Sequence, residues 1–113
     1  MLEGEYLYHV TKTTNVESIL EHGLQPLTVT PTGQRRAYSV EFSKLNWAIE
    51  HVMVRHEIAM YRGVSIIAVR VALRHDWKLY NRGIWYTSHT VNYFVFGAWY
   101  SAVAHLMSDG NCW

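Results

Sequence analysis

Apolar residues recur at every second position in some stretches of this chain and at every third or fourth in others, and the change of period divides it into strands and helices. Over residues 6–11, Leu7, His9 and Thr11 alternate with Tyr6, Tyr8 and Val10, so a strand is expected with His9 on the face of Leu7 and Thr11. Thr14-Asn15-Val16-Glu17 has the form of a capping box, in which hydroxyl and carboxylate each take the other's backbone amide, and it sets a helix start at about Asn15. Val16, Ile19 and Leu20 make the apolar stripe of that short helix. Gly23 ends it, Leu24 packs back and Pro26 prevents continuation.

Residues 27–34 carry turn formers and no helical period, which predicts a surface loop. Alternation returns over 37–42, with Tyr38, Val40 and Phe42 on one face of a second strand. Ser43 suits the N-cap of a long helix running to Gly63, along which Leu45, Ala48, Ile49, Val52, Met53, His56, Ala59 and Met60 recur at helical steps. Residues 64–73 form the most apolar strand and are placed at the centre of the sheet. Past a turn at His75-Asp76 come short strands over 77–80 and 84–87, hinged by Asn81-Arg82-Gly83, then a strand over 91–96 and a terminal helix over 99–107. The pattern predicts an α+β fold with a short N-terminal helix and one long central helix.

Composition narrows the picture. A chain of 113 residues has room for one core, so a single domain over 1–113 is expected, and 50% hydrophobic content with five tryptophans is enough to fold it. The net charge is +1 with the ten Lys and Arg scattered, which gives no electrostatic footprint of a general nucleic-acid binder. A single cysteine, Cys112, has no internal partner and suits a reducing compartment. Glu3 and Glu5 interrupt any leader-like start, and the apolar run at 93–104 is too short to span a bilayer, so a cytoplasmic protein with no membrane partner is expected.

Several chemistries lack their residues. His51 and His56 stand five apart, about 140° around a helix of 3.6 residues per turn, which is not the spacing of zinc helices, and no metal site is expected. There is no GxSxG, no glycine-rich phosphate loop and no HExxH.

The order of parts is more informative. LYHVT, then SILEHGLQP, then AYSVEFS before a long helix, then GIWYTSHTV, spread over residues 6–96, together resemble the ADP-ribosyltransferase superfamily. The nearest likeness is to the NAD-binding lobe of its tRNA 2′-phosphotransferase branch, matched at Asn81-Arg82-Gly83-Ile84-Trp85-Tyr86-Thr87. The resemblance implies a split, strongly curved sheet holding NAD+ in the cleft between its halves. It also implies transfer of ADP-ribose to a macromolecular acceptor, protein or nucleic acid, with release of nicotinamide. Two alternatives of the same fold are a non-catalytic module that binds NAD or ADP-ribose, and an RNA 2′-phosphotransferase relative.

Carried onto matching positions, His9 resembles the histidine that bonds the adenosine ribose, with Val10 and Thr11 beside it. Tyr38 resembles the aromatic that stacks on nicotinamide. Arg35 and Arg36 offer guanidinium forks for phosphate or, alternatively, a solvated strand edge. His89 is a candidate base or donor near neutral pH, or a surface turn residue. Most superfamily transferases place a glutamate at the strand matching 84–87. No Asp or Glu lies between Asp76 and Asp109 here.

Overall fold

The computed structural model describes residues 3–92 and 100–101. Its strands are β1 (Tyr6–Lys12), β2 (Thr28–Val29), β3 (Arg35–Val40), β4 (Val64–Arg70), β5 (Lys78–Asn81), β6 (Ile84–Thr87) and β7 (Tyr100–Ser101), and its helices are α1 (Val16–His22) and α2 (Leu45–Arg55). Six strands run in the order β5-β6-β3-β1-β4-β7, β2 pairs β3 off that path, and every ladder among the described residues is antiparallel. The fold is of the expected α+β class. No helix among the described residues is long and apolar enough to cross a membrane.

The ladders differ greatly in length. β1 and β4 are joined along the whole of β1, from Tyr6 opposite Arg70 to Lys12 opposite Val64. β3 and β6 are joined from Ala37 opposite Thr87 to Val40 opposite Ile84. Between β1 and β3 a single aligned pair, Tyr8 opposite Val40, holds two three-strand groups together.

Each face of the sheet has its own core. Val10, Val40, Val64, Ile66 and Ile84 pack on Leu45, Ala48 and Ile49 of α2. On the opposite face, Ala37, Ile67 and Val69 pack on Ile19 of α1, on Leu24 and on Val91, with Trp77 beside them. Because a strand side chain points to alternate faces, β4 feeds both cores, and Val64 to Val69 are all buried. Truncating Ile66 or Ile67 to Ala removes a fully buried side chain and belongs to the class of change that costs about 2–5 kcal/mol.

Gly23 decides how α1 hands over to the second core. Its amide donates to the Ile19 carbonyl at 2.8 Å, closing the helix, and its φ of 84° turns the chain so that Leu24 forms a bridge with Val91. A Cβ on Gly23 would stand 3.0 Å from the Val91 carbonyl oxygen, so both the dihedral and the space call for glycine.

Several expectations are corrected. No side-chain cap bond forms at either helix start, because a 3₁₀ turn leads into each: residues 13–15 precede α1 and residues 42–44 precede α2. The box at Thr14-Glu17 is therefore not made, and Asn15 instead donates to the Thr11 hydroxyl at 3.0 Å. Leu20 is 47% exposed, so the stripe of α1 reduces to Val16 and Ile19. Residues 27–34 are not an open loop but a hairpin, with Thr28 and Val29 paired to Arg36 and Arg35. Phe42 lies in a 3₁₀ turn and is 66% exposed. Strand β4 is interior but stands next to the last strand of the path, and its apolarity reflects burial of both faces rather than a central position.

The long helix is shorter than its apolar spacing predicts. It stops at Arg55 in a Schellman motif: Ile58 donates to the Met53 carbonyl at 2.8 Å, Glu57 donates to Val54 at 3.3 Å, and Glu57 takes a φ of 54°. Met53 and Ile58 both pack on the first core, the apolar contact that accompanies this ending. The turn therefore ends the periodic run, and Met60 is left 57% exposed. Of the last two expected elements, 93–99 and 102–107 lie outside the described residues, while Val91 makes only the bridge to Leu24 and Tyr100–Ser101 are a strand on β4 rather than helix.

Glu57 occupies the left-handed position that glycine normally fills at such an ending. Glu57→Gly should therefore raise the unfolding free energy by about 0.5–1 kcal/mol, seen as a higher urea midpoint with unchanged slope. An unchanged or lower midpoint contradicts this account of where α2 ends.

Candidate functional site

Where β1 and β3 cease to pair, a side chain takes over from the backbone. His9 Nδ1 lies 2.6 Å from the carbonyl oxygen of Tyr38. A carbonyl only accepts, so Nδ1 carries the proton, and in the neutral ring Nε2 keeps its lone pair. Burial pushes the imidazole below its ordinary value, and the bond to Tyr38 offsets part of that shift. His9 is thus a neutral ring, its tautomer set by β3, offering an acceptor nitrogen.

The gap opens into a cleft of about 790 Å³, inside the size range of small-molecule and cofactor sites, ~300–1,000 Å³. His9, Val10 and Thr11 line it from β1, and Arg36, Ala37, Tyr38 and Ser39 line it from β3. Helix α1 closes one side with Ser18 and Ile19, and α2 closes the other with Trp47, His51 and Arg55. No Asp or Glu is among the described residues that line it.

Arg36 is the best positioned charge. Its guanidinium carbon lies 3.9 Å from the centre of the Tyr86 ring, Nε donates to Gln34 at 2.8 Å and Nη1 donates to the Tyr38 hydroxyl at 3.2 Å. Those bonds use two of its five N–H donors, and the rest of the planar fork remains for an anion. The bond that Arg36 donates to the Tyr38 hydroxyl favours the charged form further. Tyr38 is itself flanked, with the Tyr80 ring at 5.4 Å and 83° and the Tyr86 ring at 6.0 Å. On α2, Trp47 stacks on His51 at 4.9 Å and 13°, a flat pair presented at the opposite rim.

The structure therefore gathers five of the expected positions, His9, Val10, Thr11, Arg36 and Tyr38, on one cleft. Arg35 and His89 are not among its lining residues: Arg35 is exposed on β3 opposite Val29, and His89 is exposed with its amide bonded to the Thr87 hydroxyl at 3.1 Å. His89 sits instead near His75, a buried histidine held below its ordinary value by burial, then by Arg74 and His89. Trp85 and Tyr86 do face opposite ways, Tyr86 toward Arg36 and Tyr38, and Trp85 toward Glu41. Asp76 pairs with Lys78 at 3.8 Å and does not line the cleft, so it does not stand in for the strand glutamate.

Sequence reasoning passed over Ser39, Tyr80 and the Trp47–His51 pair. Ser39 is 1% exposed, its hydroxyl has no hydrogen-bond partner among the described residues, and it lines the cleft beside His9. Its only signal was a hydroxyl at an inward position of a strand. Trp47 and His51 stand at the four-residue spacing that stacks side chains on one helix face, and that was legible. No family model, curated protein or solved structure matches the chain.

A histidine that folding holds below its ordinary value of 6.5 takes up protons more readily in the unfolded chain. Its stabilising contribution is complete above pH 6.5 and is lost as the pH falls from there through the lower folded value. Urea midpoints should hold steady from pH 8 to 7 and decline toward pH 5, and His9→Gln should decline less steeply over the same interval. A flat wild-type profile contradicts the folded chain holding His9 and His75 below their ordinary value.

Proposed function

We propose that this chain binds NAD+ in the cleft between β1 and β3 and passes its ADP-ribose to a macromolecular acceptor, releasing nicotinamide. The observation that carries the reading is the His9 ring seated in the one-pair junction, its Nε2 left as an acceptor for a ribose hydroxyl. Arg36 supplies a fixed guanidinium for the pyrophosphate, and Tyr38, with Tyr80 beside it, supplies aromatic surface for a flat cationic ring. The expected split of the sheet is supported by the contrast between the long β1–β4 and β3–β6 ladders and the single pair that joins them.

In such a transfer the bond from the ribose anomeric carbon to the nicotinamide nitrogen breaks, and the electron pair leaves with the now neutral nicotinamide. The ribose passes through an oxocarbenium-like centre that the acceptor captures. Fixing both reactants in the cleft supplies much of the acceleration. With no carboxylate among the described residues that line the cleft, the cationic centre gains no charge from them, and an acceptor that is already anionic is favoured. The same observation favours a second reading, in which NAD+ or ADP-ribose is bound without turnover. An anionic acceptor is also what an RNA 2′-phosphotransferase relative would use.

Calorimetric titration tests binding: NAD+ should bind, and His9→Ala should weaken it at least about tenfold, a loss of ~1.4 kcal/mol, while circular dichroism stays native. No heat at millimolar NAD+ removes both readings. Nicotinamide release above the solution rate then separates transferase from module.

A further inference from the structure

The junction at Tyr8 and Val40 has a second side. Beyond it, away from the cleft, the end of β1, the turn after β3 and strand β6 enclose another recess, of about 620 Å³. Its chemistry differs from that of the first. Tyr6, Tyr8, Phe42 and Trp85 line it together with two carboxylates, Glu5 and Glu41, and no basic side chain is among the described residues that line it.

The rings are held, not loose. Phe42 meets Tyr8 edge to face at 5.9 Å and 70°, and the Trp85 indole nitrogen donates to a Glu41 oxygen at 2.7 Å. That bond fixes the indole and leaves Glu41 with its other oxygen, and among the described residues Glu41 makes no ion pair. Phe42 is 66% exposed and Tyr6 41% exposed, so part of each ring is accessible to a partner. Ring faces attract organic cations, and a neighbouring carboxylate adds a charge-assisted bond. The chain itself makes such a contact: Arg70 lies 5.5 Å from the centre of the Tyr6 ring and donates to its hydroxyl at 3.1 Å, though it does not line the recess.

We propose that this recess is a docking site for a basic side chain, arginine or lysine, on an exposed segment of a partner protein. The Glu41 carboxylate, set among ring faces, favours positive charge and disfavours nucleic acid, whose phosphates it repels. The volume exceeds what a lone guanidinium or ammonium fills, leaving room for its stem and the flanking backbone. The site is independent of whether the first cleft binds NAD+.

The test uses the whole chain labelled with ¹⁵N and a short acetylated peptide with one central arginine, followed through the Trp85 indole resonance, which is assigned by its loss in Trp85→Phe. The arginine peptide should shift it in a saturable way, and the same peptide with neutral citrulline should not. Glu41→Gln and Phe42→Ala alter exposed side chains and should each weaken binding about fivefold, whereas His9→Ala should not. Equal binding of the citrulline peptide, or no effect of Glu41→Gln and Phe42→Ala, overturns the proposal. Methylguanidinium alone binding as tightly as the peptide also overturns it, because the recess would then be a free-cation site.

Discussion

The bond from His9 to the Tyr38 carbonyl is the interaction on which the rest depends. Two groups of strands, one built on the long β1–β4 ladder and one on β3 and β6, meet at a single residue pair. A sheet that stops pairing in its interior leaves backbone groups without strand partners, and buried backbone polar groups need partners. The imidazole supplies one for Tyr38, and it must be protonated at Nδ1 to do so; burial, not this bond, is what favours the neutral ring. One side chain thereby bridges the junction and presents a nitrogen to whatever enters the cleft.

The same junction separates two recesses of opposite polarity. On one side, among the described residues, the charged side chains lining the cleft are Arg36 and Arg55, with His9, His51 and His56 beside them and no carboxylate. On the other, two carboxylates stand among aromatic rings. A nearly neutral chain has thus sorted its charges across one bridge, and this sorting, rather than net charge, gives each recess its preference. The recesses share no basic or acidic residue, but both take Tyr8, whose strand position faces the meeting of β1 and β3.

Much of this was legible in the sequence, and the misses have physical causes. Period two located β1 and β3, a continuous apolar run located β4, and the turn residues Asn81-Arg82-Gly83 located the β5–β6 hairpin, because these depend on local pattern. Helix ends failed where a 3₁₀ turn replaced a side-chain cap and where Glu57, a residue with no left-handed signature, ended α2. The hairpin at β2 was hidden because its strand is two residues long and exposed. His9, Arg36 and Tyr38 could be nominated from residue type and order, but their convergence on one cleft depends on β1 and β3 being neighbours that barely pair, which no local pattern encodes. Arg35 differs from Arg36 by one position, and strand alternation sent one into the cleft and the other to the surface.

The state of the His9 ring tests the central claim most directly. Nitrogen-15 NMR of its imidazole at pH 7.5, with and without NAD+, reads tautomer and contact together. A proton on Nδ1 and a bare Nε2 that shifts when NAD+ is added are the predicted result. A proton on Nε2, or a ring whose resonances ignore saturating NAD+, would contradict the account.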